Sequence, residues 1–339
     1  MQSNKEPMEK VRILLIGVGT MGRLHLRRLR VLPEAHIVGL VNPSPSGITL
    51  AQKLFPQLAH VPVWSDYRTA LREVEADAAI IASPHVWHFE QGMACLDAGM
   101  HVLLEKPFVS GSDNAETLAR SAVQKQKHLA VAYQQHLEGP FLFMREVIQS
   151  GELGPLTFFS AYQAQNWLRS TAGTWRQNPE LSCGGQLNDS GSHLLDAMLW
   201  LTSLEPTEVS TVLNTRGTPV DVDAVLSVHF RGGAIASLNI VGSASVNWWL
   251  DIALHGEKGT LLYRNQKLLL AREGERVPRE IPSTAFPASS DPACNFVELI
   301  LGRVGEAAAP ASYGVATACL TEAAYESARQ GQAIPFSAS

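Results

Sequence analysis

The sequence predicts an α/β protein of two domains: a parallel sheet layered with helices, then an α/β domain with a large, mostly antiparallel open sheet. Three observations carry this. The chain has 339 residues, enough for about two domains at roughly 150 residues each. Up to Tyr133, short apolar runs alternate with helical patterns; beyond it, strand-like segments follow one another across short turns. Hydrophobic residues make up 45% and charged residues 17%, so each domain can bury a core, and wholesale disorder is excluded. The division is expected at 1–134 and 135–339.

In the first part the candidate strands are Val11–Ile16, His36–Val41, Ala78–Ala82, His101–Leu104 and Leu129–Tyr133. Helical patterns fall at Met21–Arg30, Ile48–Phe55, Tyr67–Val74, Phe89–Ala98 and Asp113–Lys125. Strands that read as unbroken apolar runs are covered on both faces, which helices between parallel strands provide. The second part opens with a helical pattern at Phe141–Gln149. Strand-like segments follow at Leu156–Ala164, Glu208–Leu213, Ala224–Phe230, Ala234–Val241, Leu250–His255 and Thr260–Tyr263. Turn residues such as Arg231-Gly232-Gly233 and Glu257-Lys258-Gly259 separate them. A helix is expected at Asp189–Leu201, a surface loop at Glu280–Ala293, and closing helices at Asn295–Leu301 and Tyr313–Gln330. Trp248-Trp249 should begin a strand with one ring in the core and one on the outer face.

Net charge is −5, with no Lys/Arg run, which argues against nucleic-acid and membrane surfaces. The four cysteines (Cys95, Cys183, Cys294, Cys319) form no CxxC pair and read as buried thiols in a reducing compartment. Met1–Lys10 is polar, without a signal-peptide core, and no apolar run is long enough to span a bilayer. The expected location is cytoplasmic.

Gly17-Val18-Gly19-Thr20-Met21-Gly22 directly follows the first strand and opens a helical pattern. The first Gly permits the tight turn, the second lets backbone approach a pyrophosphate, and the third lets helix and strand pack closely. The helix start then offers amide donors and a positive dipole end, Thr20 and Met21 lying in its first turn. The second strand ends in Asn42-Pro43-Ser44-Pro45-Ser46, where an acidic residue normally binds the adenosine ribose. Asn42 can bond a ribose hydroxyl without repelling a 2′-phosphate, and Ser44 and Ser46 can contact such a phosphate. No Lys or Arg follows until Lys53. Two serines without a cation hold a dianion poorly, which favours NAD, with NADP left open.

Ser83-Pro84-His85 and Glu105-Lys106-Pro107 follow the third and fourth candidate strands, at the sheet edge where ligands bind in open α/β folds. Lys106 is a cation placed to lower the pKa of a substrate hydroxyl; the competing reading is a surface lysine in a turn. In Gly184–Asp196, Asp189 and His193 stand one helical turn apart and can serve one site. Asp189, His193 and Asp196, or His85 with His88, are also conceivable metal ligands, but zinc needs three or four in fixed geometry, and neither HExxH nor paired CxxC is present; no metal is expected. The competing reading has His88 cap or pack the helix that starts near Trp87, and Asp196 support its helix or the neighbours of that helix.

Together these residues resemble the Gfo/Idh/MocA oxidoreductase family, which includes inositol, glucose–fructose and related sugar dehydrogenases. The resemblance runs nearly end to end: Gly17–Gly22, Ala82-Ser83-Pro84 with His88, Asp97–Pro107, Ser150–Gly154, Trp175-Arg176, Gly184–Asp196, Gly256–Thr260 and Ala323–Ala328. It implies a Rossmann domain for 1–134 and a substrate-binding, oligomerising α/β domain for 135–339. It implies that Lys106, Asp189 and His193 are catalytic, and that the bond before Pro107 is cis. Cofactor contacts are expected from Gly17, Gly19, Thr20, Met21, Gly22, Asn42, Ser44, Ser83, Pro84, His85, His88, Glu105 and Lys106. Substrate contacts are expected from Lys106, Gln134, Trp175, Arg176, Asp189 and His193. The cofactor is NAD or NADP and the partner a sugar or polyol; a homodimer or homotetramer through the C-terminal sheet is expected. His193 would take the proton of a secondary hydroxyl, Lys106 would stabilise the alkoxide and Asp189 would position the pair.

Ser83 stands where the family more often has Thr, His85 where Asn is frequent, and Gln134-Gln135-His136 where many members carry Arg. Two rival functions use the same scaffold: an NAD-using glycosidase with no net NADH formation, and a dinucleotide-binding regulator. A regulator would tend to lose the Lys or His, and both are present.

Overall fold

Apart from the exposed Arg12, the first strand, Val-Arg-Ile-Leu-Leu-Ile, is apolar on both faces, and in the computed structural model Ile13, Leu14, Leu15 and Ile16 are all buried. The structure describes residues 9–336; the N-terminal stretch read as lacking a leader lies outside them up to residue 8. The chain divides into two compact units. One holds the described residues up to Val109, with Asp113–Gln134 and Ser290–Ser312; the other holds Ser110–Ser112, Gln135–Ser289 and the described residues from Tyr313 onward.

The first unit is a parallel sheet of β1 (Val11–Ile16), β2 (Ala35–Val41), β3 (Val63–Trp64), β4 (Ala78–Ile81), β5 (His101–Leu104) and β6 (Leu129–Val131) in the order β3-β2-β1-β4-β5-β6. Its helices are α1 (Thr20–Leu29), α2 (Pro45–Leu54), α3 (Tyr67–Glu73), α4 (His88–Asp97) and α5 (Ser112–Gln124). The order reverses between β1 and β4, and ligands of such sheets bind at that switch point, outside the carboxyl ends of the strands.

Two features of this unit differ from the sequence reading. The two-residue strand β3 is too short to carry a hydrophobic pattern. And residues 290–312, which a division at 134/135 gives to the second domain, pack in the first unit. They contain a helix over Pro292–Ile300 whose Ala293, Phe296 and Val297 join the core of Leu26, Leu29 and the β1 side chains. Asp291 caps its start, accepting from the backbone N–H groups of Ala293 and Cys294, so a stretch expected to be loop already contains the cap and first two residues of a helix.

In the second unit the remaining helices are α6 (Gly139–Gln149), α7 (Trp167–Ser170), α8 (Pro179–Ser182) and α9 (Gly191–Thr202), with α10 being Pro292–Ile300 of the first unit and α11 (Ala311–Gln330) closing the chain. The strands are β7 (Leu156–Ala164), β8 (Pro206–Asn214), β9 (Asp223–Phe230), β10 (Ile235–Val241), β11 (Trp249–Gly256), β12 (Thr260–Arg264), β13 (Lys267–Ala271), β14 (Arg279–Ile281) and β15 (Ile334–Pro335). They form one nine-stranded sheet, β14-β13-β12-β11-β7-β10-β9-β8-β15, antiparallel except where β7 meets β10.

One face of this sheet packs on α6, α9 and α11. In β9, Ala224, Leu226, Val228 and Phe230 point inward while Val225, Ser227 and His229 face out, the period of two that a half-covered sheet imposes. All twelve residues of α9 are buried, as a helix that is apolar nearly all round must be. The outer face keeps Tyr162, Val225, Ile235 and Trp249 exposed. Val212, Val225, Asn239, Tyr162 and Asp251 are successive cross-strand partners and line up in one row. The expectation for the tryptophans fails: β11 starts at Trp249, Trp248 precedes it, and both rings are 41% exposed, while Leu250 supplies the inward side chain.

Candidate active site

In the first unit the functional residues are the first ones after strand ends. Gly17 leaves β1 with φ +92°, a conformation that strains any residue with a Cβ. A Cβ there would also lie 2.5 Å from the carbonyl carbon of Ala82. A Cβ on Gly22 would lie 2.0 Å from the carbonyl oxygen of Gly17, so α1 could not seat on the turn. Gly19 faces open space, with no atom within 4 Å of its would-be Cβ. It is the N-cap of α1 and brings no side chain to the helix start, leaving those amides to a ligand. The three glycines thus fit a pyrophosphate. Thr20 is exposed and Met21 half-buried beside it.

Asn42 braces this turn. Its Oδ1 accepts from the backbone N–H of Val18 at 3.1 Å, and its Nδ2 donates to the carbonyl of Ser44 at 2.7 Å. The Ser44 and Ser46 hydroxyls are 2.8 Å apart and exposed. A residue that the sequence reading passed over also reaches the turn: Arg23 donates to the carbonyl of Val18 at 3.0 Å. This cation directly follows Gly22, at the turn rather than at the end of β2.

After β4, the Ser83 hydroxyl donates to Gln91 Oε1 at 2.7 Å, Pro84 is half-buried, and His85 is buried with its ring edge toward His88, centroids 5.7 Å apart. His88 was expected at the cofactor. It is fully buried, and its ring nitrogens face backbone carbonyls: Nδ1 lies 2.9 Å from Pro107 O and 3.1 Å from Phe108 O, and Nε2 lies 3.0 Å from Ser83 O. It ties two loops together and does not present its ring nitrogens to a ligand. Burial pushes its pKa down, against the pull of these carbonyls and of Glu105. After β5, Glu105 is buried and Lys106 partly exposed. Glu105 Oε1 is 2.8 Å from His25 Nε2, and Oε2 accepts from the Lys106 N–H at 3.2 Å. The Lys106–Pro107 bond is cis, as the resemblance implied.

In the second unit, Asp189 is not on the expected helix. Residues 186–190 form turns, with the Gly191 N–H donating to Gln186 O, and α9 begins at Gly191. Asp189 and His193 therefore flank the helix start. Asp189 is buried and its Oδ2 accepts from Trp167 Nε1 at 2.8 Å and Arg176 Nε at 3.0 Å. The Arg176 guanidinium sits 4.5 Å over the Trp175 ring, so that pair supports Asp189. Sequence reasoning missed Trp167 and Asp221. Asp221 accepts from the N–H groups of Gly185 and Leu187 and from the Tyr325 hydroxyl, at 2.8, 2.7 and 2.7 Å, holding the loop before Asp189. Burial and the Asp221 charge keep the Tyr325 phenol protonated well above its ordinary range. Asp196, read as a helix support, is fully buried 3.0 Å from His136 Nε2. Burial raises its pKa and His136 opposes that rise. Gln134 opens the short 3-10 turn that carries His136. Among the described residues no three His, Cys, Asp or Glu converge as a metal site.

Two family profiles match the chain: "Oxidoreductase family, NAD-binding Rossmann fold" over residues 11–133, and "GFO/IDH/MocA C-terminal domain" over residues 141–262. The chain belongs to the Gfo/Idh/MocA oxidoreductase family. It is 22% identical to levoglucosan dehydrogenase of Pseudarthrobacter phenanthrenivorans over 326 residues, covering 84% of this chain and 82% of that one. It is 25% identical to scyllo-inositol 2-dehydrogenase (NADP(+)) of Bacillus subtilis over 244 residues, covering 69% and 66%. A solved levoglucosan dehydrogenase in complex with NADH and L-sorbose shares the fold, with a TM-score of 0.85, 20% identity, and 97% and 99% of the two chains covered. Within this family the first unit is the NAD-binding half, and NAD or NADP fits it.

Proposed function

We propose that this Gfo/Idh/MocA protein transfers a hydride between NAD(P) and a secondary hydroxyl or ketone of a sugar, inositol or related polyol. The observation that carries the reading is the position of Lys106. It leaves the C-terminal end of β5, next in the sheet to β4, which is next to the glycine turn of β1. A cation there faces the edge where the nicotinamide of a dinucleotide on that turn would lie. The named relatives act on sugars and inositols, which supports the substrate class.

NAD(P), when bound, supplies the hydride chemistry; the chain supplies placement and proton transfer. In oxidation, His193 takes the hydroxyl proton. Lys106 donates to the same oxygen and stabilises its developing charge. Asp189, already accepting from Trp167 and Arg176, acts as a fixed anion that orients this group. Trp175 and Arg176 offer the sugar a flat wall and hydroxyl-directed donors.

The exposed row on the second unit's sheet suits a second copy of the chain, and we assign homodimer or homotetramer contacts to it. No helix among the described residues is long and apolar enough to cross a membrane. The four free cysteines suit a reducing cytoplasm. The test is absorbance at the NADH band, with both cofactors, against inositols, aldoses, sugar acids and keto-sugars. Turnover on at least one panel member is expected; none with either cofactor overturns the reading.

A further inference from the structure

Lys106 sits in a segment gripped on both flanks by a buried histidine that lies off the proposed reaction path. On the N-terminal flank, Glu105 sends one carboxylate oxygen to His25 and receives the Lys106 N–H on the other. His25 is fully buried on α1, the helix that opens from the glycine turn. On the C-terminal flank, His88 lies against the carbonyls of Pro107 and Phe108 with one nitrogen and that of Ser83 with the other. His25 thus bonds the Lys106 segment to α1, and His88 bonds the carbonyls on one side of its ring and packs against the carbonyl on the other, joining that segment to the Ser83-Pro84 loop. A neutral imidazole carries one N–H. In His25 a proton belongs on Nε2, which faces a carboxylate that can only accept, while Nδ1 has no partner among the described residues. The same Glu105 carboxylate then receives two N–H bonds, one from α1 and one from Lys106, and this fixes the backbone from which the ammonium extends.

We propose that His25 and His88 are positioning residues for Lys106, coupling the glycine turn and the Ser83-Pro84 loop to the place where the lysine ammonium stands. This rests on the reading that Lys106 acts at the substrate oxygen. His25 provides the sharper test, because Gln presents an amide nitrogen close to the position of His Nε2 and Ala does not.

Wild type, Lys106→Ala, His25→Ala and His25→Gln are compared with the best polyol of the screen. His25→Ala should lower kcat by up to ~10²-fold, the scale of a displaced catalytic group, with the polyol KM and the NADH Kd from fluorescence titration little changed. His25→Gln should recover most of the loss. Without any turnover, NMR of the cofactor-free protein reads the same coupling. The His25 ring should appear as the Nε2–H tautomer, and the Lys106 amide should exchange with solvent about tenfold faster in His25→Ala than in His25→Gln or wild type.

The inference is overturned if Lys106 amide exchange is unchanged in His25→Ala, or if His25 carries its proton on Nδ1. It is also overturned if His25→Ala weakens NADH binding as much as it slows turnover. A wild type without turnover, or a fully active Lys106→Ala, sinks the functional reading itself, while the exchange and tautomer measurements still decide the coupling.

Discussion

The two units present their functional side chains by different physical means. In the first, Gly17, Ser83 and Lys106 each follow directly on a strand end or stand one residue beyond it. The parallel ladder sets their spacing, and backbone-directed bonds finish the job. In the second, Asp189 lies in a turn and His193 in the first turn of α9, and the segment is held by side chains from afar. Trp167 is 22 residues from Asp189, Asp221 is 36 from Gly185, and Tyr325 is 140 from Gly185. A site inherited from a sheet register tolerates substitution poorly at its glycines. A site built from a side-chain network is vulnerable at its distant carboxylates.

The largest expected effect tests whether the network serves chemistry. His193→Ala should lower kcat by about 10²–10⁴-fold, the range of a lost general base, with the NADH Kd unchanged by fluorescence titration; equal kcat would remove His193 from the reaction. Next, Asp221→Ala leaves the Leu187 N–H and the Tyr325 hydroxyl without their acceptor and removes one of the two acceptors of the Gly185 N–H. It should cost about 2–5 kcal/mol in urea unfolding, and an unmoved midpoint would mean the loop is held otherwise. In the other unit, Gly17→Ala forces a Cβ onto Ala82 at positive φ. A stability loss of about 1–3 kcal/mol is expected from the strain, with weakened NADH binding; retained affinity would break the claim that the glycines define that half.

The smallest effect concerns the far edge of the first unit's sheet, where His101 stacks on His128 at 4.8 Å. Burial, then the charges of His128 and Lys127, push the His101 pKa down from 6.5 to about 4. Folding therefore favours the neutral ring. The stabilisation is present above pH 6.5 and lost as pH falls toward 4. The thermal midpoint of wild type should drop across that window more than that of His101→Gln; parallel curves would discount the pair.

Legibility follows the same division. The five longer strands of the first sheet, the glycine turn and the Glu105-Lys106-Pro107 step were readable because each is a local pattern tied to a strand end. Strand β3 was not, being two residues long. In the second unit β7 was read to the residue, yet β13, β14 and β15 were missed: Lys267–Ala271 is a short apolar run, and the other two are edge strands of three and two residues. Asp189 and His193 were found by their spacing, but placed on a helix that begins only after Asp189. Asp221 and Trp167 carry no local signature, since their meaning is a bond to a residue far along the chain. The Arg23 bond to the Val18 carbonyl likewise carries no sequence signature, since the dinucleotide fingerprint is defined by its glycines.

The helix at Pro292–Ile300 has a consequence for the order of events during synthesis. Its Phe296 and Val297 complete the core formed with Leu26 and Leu29, so the earlier part of the first unit leaves the ribosome with apolar surface still uncovered. About 160 further residues must be made first, which at roughly 5–20 residues per second takes some ten to thirty seconds. During that interval the nascent nucleotide-binding half must be shielded or remain loosely folded, and its final closure waits on nearly the whole of the other unit.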